Sequence, residues 1–206
     1  MFTHLNPGEL SPREVYKLMI GCVVPRPIAW ITSVNDAGVV NLAPFSYFNG
    51  VSSRPAVVSV SFSYHPDRPE NAKDTLRNIR ATGEFVINVV SEPNEVAMHG
   101  SSGDYSPETS ELAVYGLTQE ASQKVRPPSL AESPIRLECT LYDSIQVGTG
   151  PGSATLVLGE VVTISVREDL VNEQLHVDHK TLKPVGRLAG SNYAFIHEIV
   201  DLGPRP

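Results

Sequence analysis

Apolar and polar positions alternate with a period close to two along much of this chain, and that spacing predicts strands. Ala56-Val57-Val58-Ser59-Val60-Ser61-Phe62 reads as a half-buried strand, and its β-branched content agrees. Residues 28–34 read as another. Asn35-Asp36-Ala37-Gly38 then supplies a turn, and Val39-Val40-Asn41-Leu42 returns as the second arm of a hairpin. Residues 84–90 make a further strand. Ile135–Val147 and Ala154–Val166 are two long β-prone arms separated by the glycine-rich residues 148–152, and a last strand is expected over 193–200.

The period lengthens to that of a helix in few places. Ser11 caps a short helix with Pro12 at its first position and Val15, Leu18 and Met19 as an apolar stripe; Pro25 and Pro27 forbid its continuation. Residues 74–82 form a second helix, with Leu76 and Ile79 inward and Gly83 closing it. Residues 94–99 suggest a third. Residues 100–134 are loop-rich, yet Leu112, Val114, Tyr115 and Leu117 interrupt them, so this segment is expected to pack as an excursion from the main body. Six or seven strands and two or three short helices predict one domain over residues 1–206, mainly β, built as an antiparallel barrel. No strand leads through Gly-x-Gly-x-x-Gly into a helix, so a doubly wound nucleotide-binding sheet is disfavoured.

A chain of 206 residues can bury one sizeable core. No apolar run approaches the roughly 20 residues of a membrane helix, and the first residues lack a secretory pattern. Cys22 and Cys139 lie far apart and form no Cys-x-x-Cys pair, which points away from a disulfide framework and toward the cytoplasm. The net charge is −7, but the first 90 residues carry 8 Lys/Arg against 7 Asp/Glu, and the rest 8 against 16. Such a chain is ill suited to a nucleic-acid backbone, whereas a small anion bound by the N-terminal half is compatible with it.

Candidate chemistry centres on Lys73-Asp74-Thr75. Free backbone N–H groups at a helix start, with a lysine and a threonine hydroxyl beside them, would meet an anion there. Taken alone, the triplet is better read as an ordinary helix start capped by Asp74. Asn41-Leu42-Ala43-Pro44-Phe45-Ser46-Tyr47-Phe48 leaves a strand for a turn bearing aromatics, which suits a flat heteroaromatic ring and equally suits a core-facing Phe pair. His176 and His179, with Asp178 and Glu173, are spaced too loosely for a metal centre, and no metal is expected. Ser101-Ser102-Gly103-Asp104 lacks the Gly-x-Ser-x-Gly elbow; His99 beside it reads as a helix-end residue, and Trp30 as a packing residue that can also neighbour a ligand.

These pieces, taken in order, resemble a known family. Pro25-Arg26-Pro27-Ile28-Ala29-Trp30-Ile31-Thr32-Ser33, the stretch from Asn41 to Phe48, and Lys73-Asp74-Thr75-Leu76-Arg77-Asn78-Ile79 resemble the flavin-reductase-like family of FMN-binding split barrels. The resemblance continues through Gly83-Glu84-Phe85-Val86-Ile87-Asn88, Leu158-Gly159-Glu160-Val161-Val162 and Pro184-Val185-Gly186-Arg187-Leu188. It implies a Greek-key split β-barrel that forms a homodimer, with FMN in a groove near the subunit interface. On this resemblance Thr32 and Ser33 would lie along the cofactor. Asn41, Ser46, Tyr47 and Phe48 would approach its ring and ribityl chain, and Lys73, Asp74 and Thr75 would hold its phosphate. Arg187 and Tyr193 would lie near the site as substrate-binding residues.

The resemblance implies an FMN-dependent oxidoreductase that takes electrons from NADH or NADPH, with a redox protein or a monooxygenase as partner. Many members carry Gly-Asp-His before the Gly-Glu-Val strand; here that stretch is Gly150-Pro151-Gly152-Ser153-Ala154-Thr155. The missing histidine implies the flavoredoxin-like branch and leaves open an FMN electron carrier without nicotinamide oxidation. A barrel without flavin, working through protein contacts, is the third class.

Overall fold

The computed structural model describes residues 1–203. Helix α1 spans Pro12–Cys22, and four strands follow: β1 (Ala29–Val34), β2 (Val40–Phe45), β3 (Phe48–Ser53) and β4 (Ala56–Ser63). Helix α2 (Asp74–Thr82) leads into β5 (Glu84–Val89), then α3 (Glu95–Gly100) and α4 (Glu111–Val114). The short β6 (Gln119–Glu120) and β7 (Ser129–Leu130) precede the long arms β8 (Ile135–Val147) and β9 (Ala154–Val166). Helix α5 (His179–Leu182), β10 (Val185–Arg187) and β11 (Tyr193–Phe195) complete the described chain.

Seven strands form one antiparallel sheet in the order β2-β1-β5-β8-β9-β4-β3. The neighbours β1–β5 and β4–β9 are distant in sequence, so the chain leaves the sheet and returns, in the Greek-key manner. The sheet curls until its two ends meet near the β2–β3 turn. There the Phe45 and Phe62 rings pack with centroids 4.5 Å apart, which joins β2 to β4. Register shifts after Glu138 and Leu141 bend the β8–β9 ladder.

Strand β1 is buried on both faces, apolar from Ala29 to Ile31 and, at Thr32 and Ser33, polar but hydrogen-bonded. Ala29 and Ile31 face a core shared with Val60, Phe62, Phe85, Ile87 and Cys139, closed over by Leu76 and Ile79 of α2. Ile28 and Trp30 face a second core with Leu42, Met98, Leu112 and Leu130. The excursion over residues 100–134 supplies Leu112 and Leu130 to that core, and the fully buried Trp30 donates its indole N–H to Ser101 Oγ at 2.9 Å.

Two expectations change, and one helix stays outside the core. The apolar stripe of α1 is not part of the core: no residue of this helix is buried. The final strand stops at Phe195, paired only with β10, and 196–200 is irregular and exposed. Phe48 opens an edge strand, β3, which the mixed polarity of Asn49, Gly50, Ser52 and Ser53 conceals.

Candidate functional site

Helix α2 carries no side-chain cap: Lys73 occupies the N-cap position without accepting a bond from the first turn. The Asp74 carboxylate faces away from that task, since it pairs with Arg77 one turn on and with Arg68 Nη1 at 3.4 Å. The Thr75 side chain is buried and accepts from Asn41 Nδ2 at 2.8 Å, joining α2 to strand β2. An uncapped helix start thus sits beside a lysine that, among the described residues, has no carboxylate partner. Backbone N–H groups, the positive helix end, Lys73 and the Thr75 hydroxyl together can hold a phosphomonoester.

Three depressions adjoin at this end of the barrel. The first lies between Asn41, Arg68, Lys73, Thr75 and Glu111. The second, about 260 Å³, is walled by Tyr16, Phe45, Ser46, Tyr47, His65 and Lys73. The third, about 140 Å³, lies between Phe45, Ser46, Arg187 and Tyr193. Lys73 borders the first two, and Phe45 and Ser46 border the last two, so they make one groove from the α2 terminus to Tyr193. Aromatic walls with a cationic end suit a flat ring carrying a phosphate.

The groove therefore gathers Asn41, Ser46, Tyr47, Lys73, Asp74, Thr75, Arg187 and Tyr193. Thr32, Ser33 and Phe48 lie elsewhere. Thr32 Oγ1 donates to the Pro128 carbonyl at 2.5 Å, Ser33 Oγ accepts from Asn78 at 3.1 Å, and both residues are fully buried. Phe48 packs against the first core. His176 and His179 gather no metal-ligand cluster among the described residues.

Arg26, Arg68 and Glu111 were given no role from the sequence, and His99 was read only as a helix-end residue. Arg26 is buried without a carboxylate partner among the described residues, and carbonyls take the place of one. It donates to Ile20 and Val23 oxygens at 2.7 Å each, to the Leu188 oxygen at 3.0 Å and to Ser46 Oγ at 3.3 Å. The carbonyls of Ile20 and Val23 belong to the C-terminal end of α1, whose partial negative charge favours a cation. Its place between two prolines before a buried strand was the only local hint. Arg68 holds Asp74 and Asp104 together, and its hydrogen bond keeps the Asp104 carboxyl below the usual range.

Glu111 is a buried carboxylate at the start of α4, and its Oε2 accepts from the Leu42 amide at 2.8 Å. Burial pushes its carboxyl above the ordinary glutamate range, and the Leu42 bond and the guanidinium of Arg68 oppose that. No local signal marks Glu111, because its partner is 69 residues away. His99 Nδ1 lies 2.9 Å from the Tyr193 hydroxyl, and the Arg187 guanidinium sits 4.5 Å from the centroid of the Tyr193 ring.

The antiparallel sheet with its short helices has the fold of split-barrel flavin reductases. The chain belongs to the family of the flavin reductase like domain, whose model matches residues 20–186. It is similar to nitrilotriacetate monooxygenase component B from Bacillus cereus, at 36% identity over 98% of this chain and 99% of that one, with a TM-score of 0.91. It is also similar to the 2-nitrobenzoate 2-nitroreductase of Pseudomonas fluorescens, at 33% identity, 98% and 96% coverage and a TM-score of 0.88. The flavoredoxin of Desulfovibrio vulgaris (Miyazaki F) shares the fold, at 22% identity, 87% and 91% coverage and a TM-score of 0.72. Among the described residues no helix is long and apolar enough to cross a membrane.

Proposed function

We propose that this chain is an FMN-dependent oxidoreductase of the flavin reductase type, working as a homodimer in the cytoplasm. The observation that carries the reading is the uncapped start of α2 beside Lys73, opening into an aromatic groove. Lys73, the Thr75 hydroxyl and the first-turn N–H groups would hold the phosphate, Asn41 would border the ribityl chain, and Phe45, Ser46 and Tyr47 the ring. Asp74 contributes its backbone N–H and, through its carboxylate, fixes Arg68 and Arg77. Bound flavin supplies hydride and single-electron chemistry; the chain supplies orientation, hydrogen bonds and shelter from water.

NADH or NADPH is the proposed electron source, and a monooxygenase or other redox protein the proposed recipient; the likeness to a monooxygenase component supports the latter. Helix α1 supports the dimer, because Tyr16, Leu18 and Met19 stay exposed on a helix with no buried residue. Leu18→Asp should halve the mass seen by light scattering if a second copy covers that face. The cofactor assignment is tested by an absorbance spectrum of the purified protein and titration with FMN. A colourless protein that gains no flavin absorbance sinks it.

A second reading, an FMN electron carrier with no nicotinamide turnover, is favoured by the β8–β9 loop. The cavity of about 210 Å³ beside it offers Glu70, Arg80, Gln146 and Thr155 but no histidine. Steady consumption of NADH or NADPH with an added acceptor would eliminate this reading.

A further inference from the structure

The end of the groove at Tyr193 has a composition unlike the rest. Pro44 and Phe45 line the 140 Å³ cavity together with the nearly enclosed Ile28 and Met98, and Arg187 and Tyr193 line it too. Arg187 is half-buried and, among the described residues, pairs with no carboxylate. Its Nη1 donates to the Asn192 carbonyl at 3.2 Å and its Nη2 to the Gly190 carbonyl. Two of its five N–H groups are thereby used and three are left over.

The guanidinium is also held in place. Strand β10 is pinned by reciprocal backbone bonds between Arg187 and Arg26, at 2.8 and 3.0 Å. Gly186 lets β10 approach Pro25, since a Cβ there would lie 2.8 Å from the proline Cβ. The Arg187 side chain stacks on Tyr193, whose hydroxyl is bonded to His99. A cation fixed on three sides at the mouth of a partly apolar cavity is preorganised for an anion, which then pays little ordering entropy.

We propose that this cavity binds a small planar carboxylate, a single-ring aromatic acid, with its carboxylate on Arg187 and its ring against Pro44 and Phe45. An inorganic anion would leave the apolar wall unused, and a neutral ring would leave the guanidinium unpaired. The carboxylate site stands on its own geometry. That its occupant meets a flavin across Phe45 and Ser46 rests on the cofactor reading above.

Calorimetric titration of the full chain with benzoate, benzamide and inorganic phosphate tests the proposal. Benzoate should bind at least about tenfold more tightly than benzamide. Arg187→Gln should abolish that preference and Arg187→Lys should retain part of it, with thermal melts confirming that each variant folds. Equal affinity for benzoate and benzamide, displacement of benzoate by equimolar phosphate, or an undiminished preference in Arg187→Gln would overturn it. If neither variant folds, the wild-type comparison decides alone. FMN titration of the same samples reads the cofactor assignment separately: benzoate binding without FMN binding keeps this site and removes the flavin.

Discussion

Helices α1 and α2 are built on opposite plans. In α1, Ser11 and Glu14 form a reciprocal capping box, with Pro12 at the first position, yet no residue of the helix is buried. In α2 the N-terminus has no side-chain cap, yet Thr75, Leu76, Asn78 and Ile79 are buried and Gly83 closes the end in the left-handed region. Local chemistry holds the first and tertiary packing holds the second. A helix anchored by its flank can leave its N-terminal N–H groups free, and those groups border the groove. Glu14 and Ser11 occupy the equivalent groups in α1 with each other.

The comparison can be broken most forcefully at Ile79, which is fully buried. Ile79→Ala should cost about 2–5 kcal/mol of global stability in urea unfolding. Lys17→Ala on the exposed surface of α1 should stay within about 0.5 kcal/mol. Equal losses would mean that α1 is anchored as deeply as α2. Next in size, Lys73→Ala should weaken FMN binding by about 1.5–3 kcal/mol, the range for a charge-assisted hydrogen bond, and leave riboflavin nearly unaffected. A parallel loss for riboflavin would remove Lys73 from the phosphate.

Ser11→Ala removes the box and should cost about 0.5–2 kcal/mol. The loss should be read as faster amide exchange confined to α1, with α2 unchanged. The smallest effect is a change of slope at Glu111, which ties α4 to β2 beside the α2 terminus. Its carboxyl is raised in the folded state, so the folded chain holds the proton more tightly than the unfolded one. Glu111 therefore makes stability fall as pH rises from the ordinary glutamate range through the raised value. In Glu111→Gln that component disappears, and urea midpoints of the two proteins, followed upward from about pH 4, should diverge accordingly. Midpoints that stay parallel would show that the Glu111 carboxyl titrates alike in folded and unfolded chains.

Most of the sheet was legible because strands β1, β4, β5, β8 and β9 combine β-branched composition with clear boundaries. Helix α2 was legible to the residue, since Leu76 and Ile79 lie one helical step apart and Gly83 follows. Strand β3 was not, because an exposed edge strand needs no apolar face and so shows no alternation. The groove was legible only in pieces. Lys73-Asp74-Thr75 reads locally as a cap, and the structure shows the carboxylate turned instead to Arg68 and Arg77. His99 read as a helix end until Tyr193, 94 residues later, was placed against it.

By itself the sequence determined the main strands other than β3, the Ser11 cap of α1, the limits of α2 and, through its ordered motifs, the family. These depend on neighbours a few residues apart, whose geometry the backbone sets. Only the tertiary structure decided that α1 lies outside the core, that Thr32 and Ser33 are enclosed, and that Glu111 and Arg26 are buried charged residues. Only it brought Arg187, Tyr193 and His99 to the groove. Each of those outcomes depends on which distant segment covers a side chain or completes its hydrogen bonds, and no local pattern records such a partner.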